Sequence, residues 1–199
     1  MYATRGEFKT WINDTNANDF LVDSCLLAAS RYIDQTCGRR FVAETAASKD
    51  CWAKDIWSLD LPDDIRTVTS CLVDANGNGT FTRTMTEGTN YVLEPLVPFP
   101  DAGIYNRMRV LPYSSSGFAP GYRVRILGNW GYVVNGRAPD DVHTVCLIQA
   151  SRLYTRRNAP LGILQTVDLG QFTRISKVDP DLQAMLSSYI VKQKGWAVV

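Results

Sequence analysis

The stretch from Pro139 to Pro160, PDDVHTVCLIQASRLYTRRNAP, limits the possible folds more than any other part of this chain. It opens with proline at a first-turn position, followed by Asp140 and Asp141, where acids suit a helix N-terminus. Val142, Val145, Cys146, Gln149 and Leu153 recur at helical spacing, and a second row runs through Leu147, Ala150 and Tyr154. Two apolar rows leave little of the circumference polar, so the spacing predicts a central helix covered on more than one side. Arg156 and Arg157 suit the last turn, and Asn158 and Pro160 are stop signals.

Helical signals also open the chain. Thr4-Arg5-Gly6-Glu7 has the form of a capping box, with Phe8, Trp11 and Ile12 on the short helix after it. Asn18 or Asp19 then caps a longer helix reaching about Cys37, where Gly38 supplies a left-handed stop. Its rows are Leu21, Cys25, Ala28 and Tyr32, and Val22, Ala29 and Ile33. A last helix starts at Asp179-Pro180-Asp181 and carries Leu182, Met185, Leu186, Tyr189 and Ile190.

Between Phe41 and Tyr132 the period changes. Trp57 to Leu61 alternates, Val68 to Val73 and Thr80 to Met85 are β-rich, and Tyr91 to Leu93 is a further candidate. Arg107 to Leu111 and Tyr122 to Leu127 alternate with their arginines opposite Met108, Val110, Val124 and Ile126. The fold class expected is α+β, a small bundle of about four helices with an inserted antiparallel β unit of about five or six strands. The expected division is 1–40 with 137–191 as helical core, 41–136 as the insertion, and 192–199 as a C-terminal tail. Leu161 to Val178 is an irregular or hairpin-like connection of a length that commonly carries function.

At 199 residues such a fold buries roughly 70% of its unfolded surface and needs no covalent staple. Five cysteines with no CxxC pair point away from zinc, and Cys25 and Cys146 read as small buried hydrophobes. Met1 to Lys9 lacks the apolar core of a signal peptide, and no run approaches the roughly 20 apolar residues that span a bilayer, so a cytosolic origin is expected.

Each candidate for chemistry has a plainer competitor. Asp74-x-Asn76-x-Asn78-Gly79 begins like a calcium loop, but the twelfth position holds Met85 instead of a bidentate acid, so a hairpin turn is the better reading. His143 is the sole histidine, lies in line with Leu147 and has no GxSxG elbow to serve. No phosphate-binding loop occurs. Neither a catalytic centre, a cofactor nor a metal is expected. Arg107 and Arg109 share one strand face, as do Arg123 and Arg125; were those strands neighbours, the four guanidinium groups would suit phosphate. The competing reading is a solvated face or pairing with acids, and it is favoured by a net charge of only +1.

Three groups of segments together resemble a known family. They are Tyr2-Ala3-Thr4 with Ala28 to Asp34 and Cys37 to Phe41; Gly128 to Tyr132 with Pro139 to Val142 and Ala150 to Gly162; and Leu169-Gly170 with Arg174 to Ser176 and Asp179 to Leu182. In order and spacing the chain resembles the head-to-tail adaptor (head completion, or connector) proteins of tailed bacteriophages. The resemblance implies a virion protein of the neck, made in the host cytoplasm, whose subunits form a ring beneath the portal, twelve-fold in better-known relatives. The ring would extend the DNA channel for double-stranded DNA, without sequence-specific binding, and offer a platform to stopper and tail proteins. It implies no membrane and no enzymatic activity. On this basis Arg152, Arg156 and Arg157 are expected to meet Asp179 or Asp181 of an adjacent subunit, and Lys194, Trp196, Val198 and Val199 to dock on the portal. The alternatives are another neck protein, a stopper or tail terminator, or a DNA-binding module using the Arg107, Arg109, Arg123 and Arg125 face.

Overall fold

The computed structural model describes residues 1–96, 103–156, 163–165, 172–174 and 180–191. The fold is α+β, with four α-helices and an antiparallel sheet of six strands. The chain divides into two compact units, Met1–Gly38 with Ala138–Val199, and Arg39–Arg137.

In the first unit, α1 spans Arg5–Trp11 and its capping box is formed: the Thr4 side chain accepts from the Glu7 backbone and the Glu7 carboxylate accepts from the Thr4 backbone. Helix α2, Asp19–Cys37, is capped by the Asn18 side chain accepting from Leu21 N at 3.1 Å. It ends at Gly38, whose φ of 65° is the left-handed conformation a side chain disfavours. Its buried face runs through Val22, Leu26, Ala29, Ile33 and Cys37, with Cys25 and Ser30 beside it. The row through Leu21, Ala28 and Tyr32 turns out to be a flank, because Ala28 is exposed and Leu21 and Tyr32 are half-buried.

Helix α3, Asp140–Arg156, packs against α1, α2 and the last helix, so it is covered on several sides. Pro139 stands one position earlier than the spacing suggested, since its carbonyl accepts the first helical bond from His143 N. Val142, Val145, Cys146, Leu147 and Ala150 are buried, whereas Gln149, Leu153 and Tyr154 are half-buried. The termination signals Asn158 and Pro160 lie outside the described residues. Strands β7 (Ile163–Gln165) and β8 (Phe172–Arg174) form an antiparallel pair, which gives the long connection a hairpin. Helix α4, Pro180–Leu186, continues as a turn of 3-10 helix through Tyr189 and buries Leu182, Leu186 and Tyr189; Ile190, grouped with them by its spacing, is exposed. Among the described residues no helix is long and apolar enough to cross a membrane.

In the second unit the strands are β1 (Glu44–Trp52), β2 (Ser58–Asp74), β3 (Arg83–Met85), β4 (Tyr91–Glu94), β5 (Tyr105–Val110) and β6 (Arg123–Trp130). Their order is β1-β6-β2-β5-β4, with β3 paired to β2. The two alternating stretches at Trp57–Leu61 and Val68–Val73 are one strand. Its first half pairs with β5 and its second with β6, and Ile65 is matched to both Tyr105 and Trp130. Pro62, which has no N–H for a ladder, falls in the register break between Asp60 and Ile65. Leu59, Ile65, Cys71, Val73, Met108, Val110, Val124, Ile126 and Trp130 form the core of this unit.

Strand β1 has no counterpart in the sequence expectations. Its residues, ETAASKDCW, include several that strands usually avoid, and none of them is fully buried. Pairing with β6 holds it in place, together with the Trp130 indole N–H donating to the Ala47 carbonyl at 2.8 Å. Gly131 follows β6 with a φ of 96° and lies so close to the Val42 carbonyl that a Cβ would stand 1.8 Å from its oxygen. A glycine is required there.

Candidate assembly surfaces

The four arginines singled out by alternation all lie away from the core of the sheet unit, but they form two groups. β2 runs between β5 and β6, so the strands carrying them are not neighbours. Each group has carboxylates of its own. Arg107 Nε meets Asp60 Oδ1 at 2.8 Å, and Arg109 Nη1 meets Glu94 Oε1 at 3.4 Å. Arg125 takes Asp50 in a two-pronged contact at 2.7 and 2.9 Å, and Arg123 Nε lies 3.4 Å from the same carboxylate. The cross-strand partners have opposite charge because β1 sets Asp50 directly against Arg125. The Arg125 hydrogen bond holds the Asp50 carboxyl below the usual range. Phe81 lies beneath both guanidinium groups, 4.1 Å from Arg125 and 5.1 Å from Arg123. Four arginines shared among three acids leave little field for a polyanion, so the acid-paired reading of this face holds.

The turn after β2 is organised by one side chain. Asp74, almost fully buried, accepts from Asn78 N at 3.3 Å and Gly79 N at 2.8 Å. Its oxygens thus face backbone donors, and β2 and β3 pair across the turn as a hairpin. Among the described residues no group of histidines, cysteines and acids could hold a metal ion.

His143 is half-buried on the first turn of α3, with Nε2 3.3 Å from Glu7 Oε2. Glu7 is the capping carboxylate of α1. Its hydrogen bonds from the Thr4 hydroxyl and backbone, with His143 adding to them, hold its pKa at about 2. The pair therefore belongs to the helix cap. All five cysteines are free thiols; Cys25, Cys37, Cys71 and Cys146 are buried. Burial pushes the Cys51 and Cys71 thiols up to about 12, which leaves them inert as nucleophiles near neutral pH.

Of the residues expected at subunit contacts, Arg152 is half-buried and Arg156 exposed in the last turns of α3, and Asp181 is exposed in the first turn of α4. Arg157 and Asp179 lie outside the described residues, as do the expected portal contacts Lys194, Trp196, Val198 and Val199.

Two surfaces escaped the sequence reading. On α2, Phe20 is 82% exposed and Leu27 43% exposed. The signal was present, since neither residue belongs to either apolar row of that helix. In the sheet unit Trp52 is 62% and Trp57 55% exposed, at the two ends of the β1–β2 connection. That connection is anchored: Ala53 N donates to the Tyr122 carbonyl, Gly121 N to the Ala53 carbonyl, and Val110 N to the Trp57 carbonyl. Nothing in the spacing of Trp57 distinguishes an outward tryptophan from a core one.

Neither a protein-family model nor a curated protein matches the chain. Solved structures do. A chain from the neck of an empty GTA particle computed with C6 symmetry aligns with a TM-score of 0.58 at 19% identity, covering 96% of this chain and 90% of that one. A chain from the neck of the native GTA particle computed with C12 symmetry gives 0.55 at 16%, with the same coverage. A third, from the virion of the native gene transfer agent (GTA) particle, gives 0.57 at 17%, covering 92% and 83%. The chain shares their fold. The agreement runs over nearly the whole length of both partners, so it takes in the β insertion as well as the helices.

Proposed function

We propose that this protein is a structural component of the neck of a phage-like particle, a head-to-tail adaptor that assembles as a ring beneath the portal. The observation that carries the proposal is the fold shared over 96% of the chain with chains from particle necks computed with sixfold and twelvefold symmetry. The sequence resemblance to head-to-tail adaptors, which rests on other features, supports the same role. The ring extends the DNA channel and presents a platform to the stopper and tail. A net charge of +1 suits a conduit, because a duplex carrying roughly one charge per 1.7 Å would be held by a strongly basic lumen. The acid-paired arginines of the sheet unit favour this role over a DNA-binding module.

In this proposal Arg152, Arg156 and Arg157 meet Asp179 and Asp181 of the adjacent copy, while Lys194, Trp196, Val198 and Val199 dock on the portal. Electron microscopy of the protein mixed with its cognate portal tests the role. The full chain is expected to add a ring of density to the portal, and a variant ending at Gln193 to leave it bare. A bare portal with the full chain overturns the adaptor role; a normal ring with the shortened chain overturns the docking segment alone.

A further inference from the structure

Helix α2 is two-sided. Val22, Leu26, Ala29, Ile33 and Cys37 are buried, while Phe20 and Leu27 face outward. The two exposed residues are seven positions apart, which is close to two turns, so they stand above one another with roughly 10 Å between them. Ser24 lies between them and turns its hydroxyl back onto the Phe20 carbonyl at 2.8 Å, which leaves its carbon to the strip. Ala28 is exposed alongside. Large apolar residues separated by small ones form a ridge and groove that another helix can approach closely. Asp19 and Asp23 flank the end of the strip nearest Phe20, held by Arg5 at 2.9 and 2.5 Å. Both the strip and its acidic border are therefore on one preformed surface.

Charge indicates the occupant. The segment 1–38, which carries the strip, has three basic residues against five acidic ones, a net of −2. The other segment of the same unit, 138–199, has seven basic residues against five acidic ones, a net of +2. A contact of like with like would set the acidic segment against itself, whereas a head-to-tail contact sets it against the basic segment of the next copy. Head-to-tail contacts are also the kind that close into rings.

We propose that the Phe20–Leu27 strip of α2 is a subunit contact, covered in the assembled particle by the 138–199 side of a second copy of this chain. This proposal rests on the ring role proposed above. The test compares the full chain with the double variant F20S/L27S, each mixed with the cognate portal, by ring yield in electron microscopy. Both side chains are exposed in the free protein, so the variant should keep the wild-type circular dichroism spectrum and melting profile. The wild type is expected to form rings and the variant to lose at least tenfold in ring yield. Rings from the variant in normal yield overturn the contact and leave the ring role standing. A wild type that forms no ring overturns both. A second readout does not depend on the double variant folding: an L27C thiol should react with a maleimide in the free protein and be protected in the ring. Equal labelling in the two states overturns the contact.

Discussion

Asp64 is 4% exposed, and its nearest cation, the Arg39 guanidinium, holds Nε 3.6 Å from Oδ2, beyond hydrogen-bond range. Both atoms are buried without a hydrogen-bond partner, while Arg39 stacks on Tyr132 at 4.6 Å. Burial pushes the Asp64 carboxyl up to about 6, with Arg39 pulling it down less strongly and Asp63 adding to the rise. Asp63 itself is paired to Lys49 at 3.0 Å. The folded protein thus binds the Asp64 proton more tightly than the unfolded chain does. Stability from this residue is fully present below the ordinary aspartate value of about 4, falls as pH rises to about 6, and is flat above it, a loss on the order of 3 kcal/mol. Urea midpoints measured from pH 4 to 7 should fall more steeply for the wild type than for Asp64→Asn, which has no proton to lose there. Parallel slopes would show that Asp64 stays charged in the folded protein. Glu7 acts in the opposite sense, since its lowered carboxyl contributes stability above its ordinary value and loses it as pH falls toward 2. It is half-exposed, so its share is small.

At the scale of elements, α2 places two neighbouring leucines in opposite environments. Leu26 is fully buried and Leu27 43% exposed. Leu26→Ala should cost about 2–5 kcal/mol by chemical denaturation, because the cavity it leaves is only partly refilled. Leu27→Ala should stay within about 0.5 kcal/mol in the free protein. A comparable loss at both positions would mean that the helix is turned differently. The sequence expectations place this helix well at its ends, where Asn18 and Gly38 act through their own backbone, and less well around its circumference. Two rows of comparable apolarity were open, and the tertiary partners, α1, α3 and α4, selected the one through Val22 and Leu26. The sheet illustrates the same limit. Local alternation marked Val124 and Ile126 as core residues, and they are. It did not mark β1, because a strand whose residues are at most half-buried has no alternation strong enough to detect.

For the whole molecule, the expectation carried forward is that α3 ends in cations that serve the next subunit. Arg156 is exposed in the last turn of α3, and the sequence continues at once with Arg157. Reversing both, Arg156→Glu with Arg157→Glu, should block ring formation by setting like charges against Asp179 and Asp181, with at least a tenfold loss of rings in electron microscopy. Adding Asp179→Lys and Asp181→Lys should restore part of the yield. Normal rings from the doubly reversed arginines would remove these residues from the interface. The sheet unit makes the contrasting point. Its four prominent arginines looked available for phosphate when only their strands were known, yet Asp50, Asp60 and Glu94 already occupy them. Those acids come from other strands, 15 to 75 positions away along the chain.

The sequence by itself determined what depends on neighbours within one or two turns. The capping box at Thr4 and Glu7, the left-handed stop at Gly38, the turn at Asp74 and the α+β class all follow from short-range hydrogen bonding and side-chain period. Only the tertiary structure decided what depends on distant residues. It joined two alternating stretches into β2, put β2 between the arginine strands, buried Asp64 near a cation that does not quite reach it, and left Phe20, Trp52 and Trp57 in solvent. The physical reason is that period records which side of an element a residue is on. Burial and charge are settled by whatever meets that side.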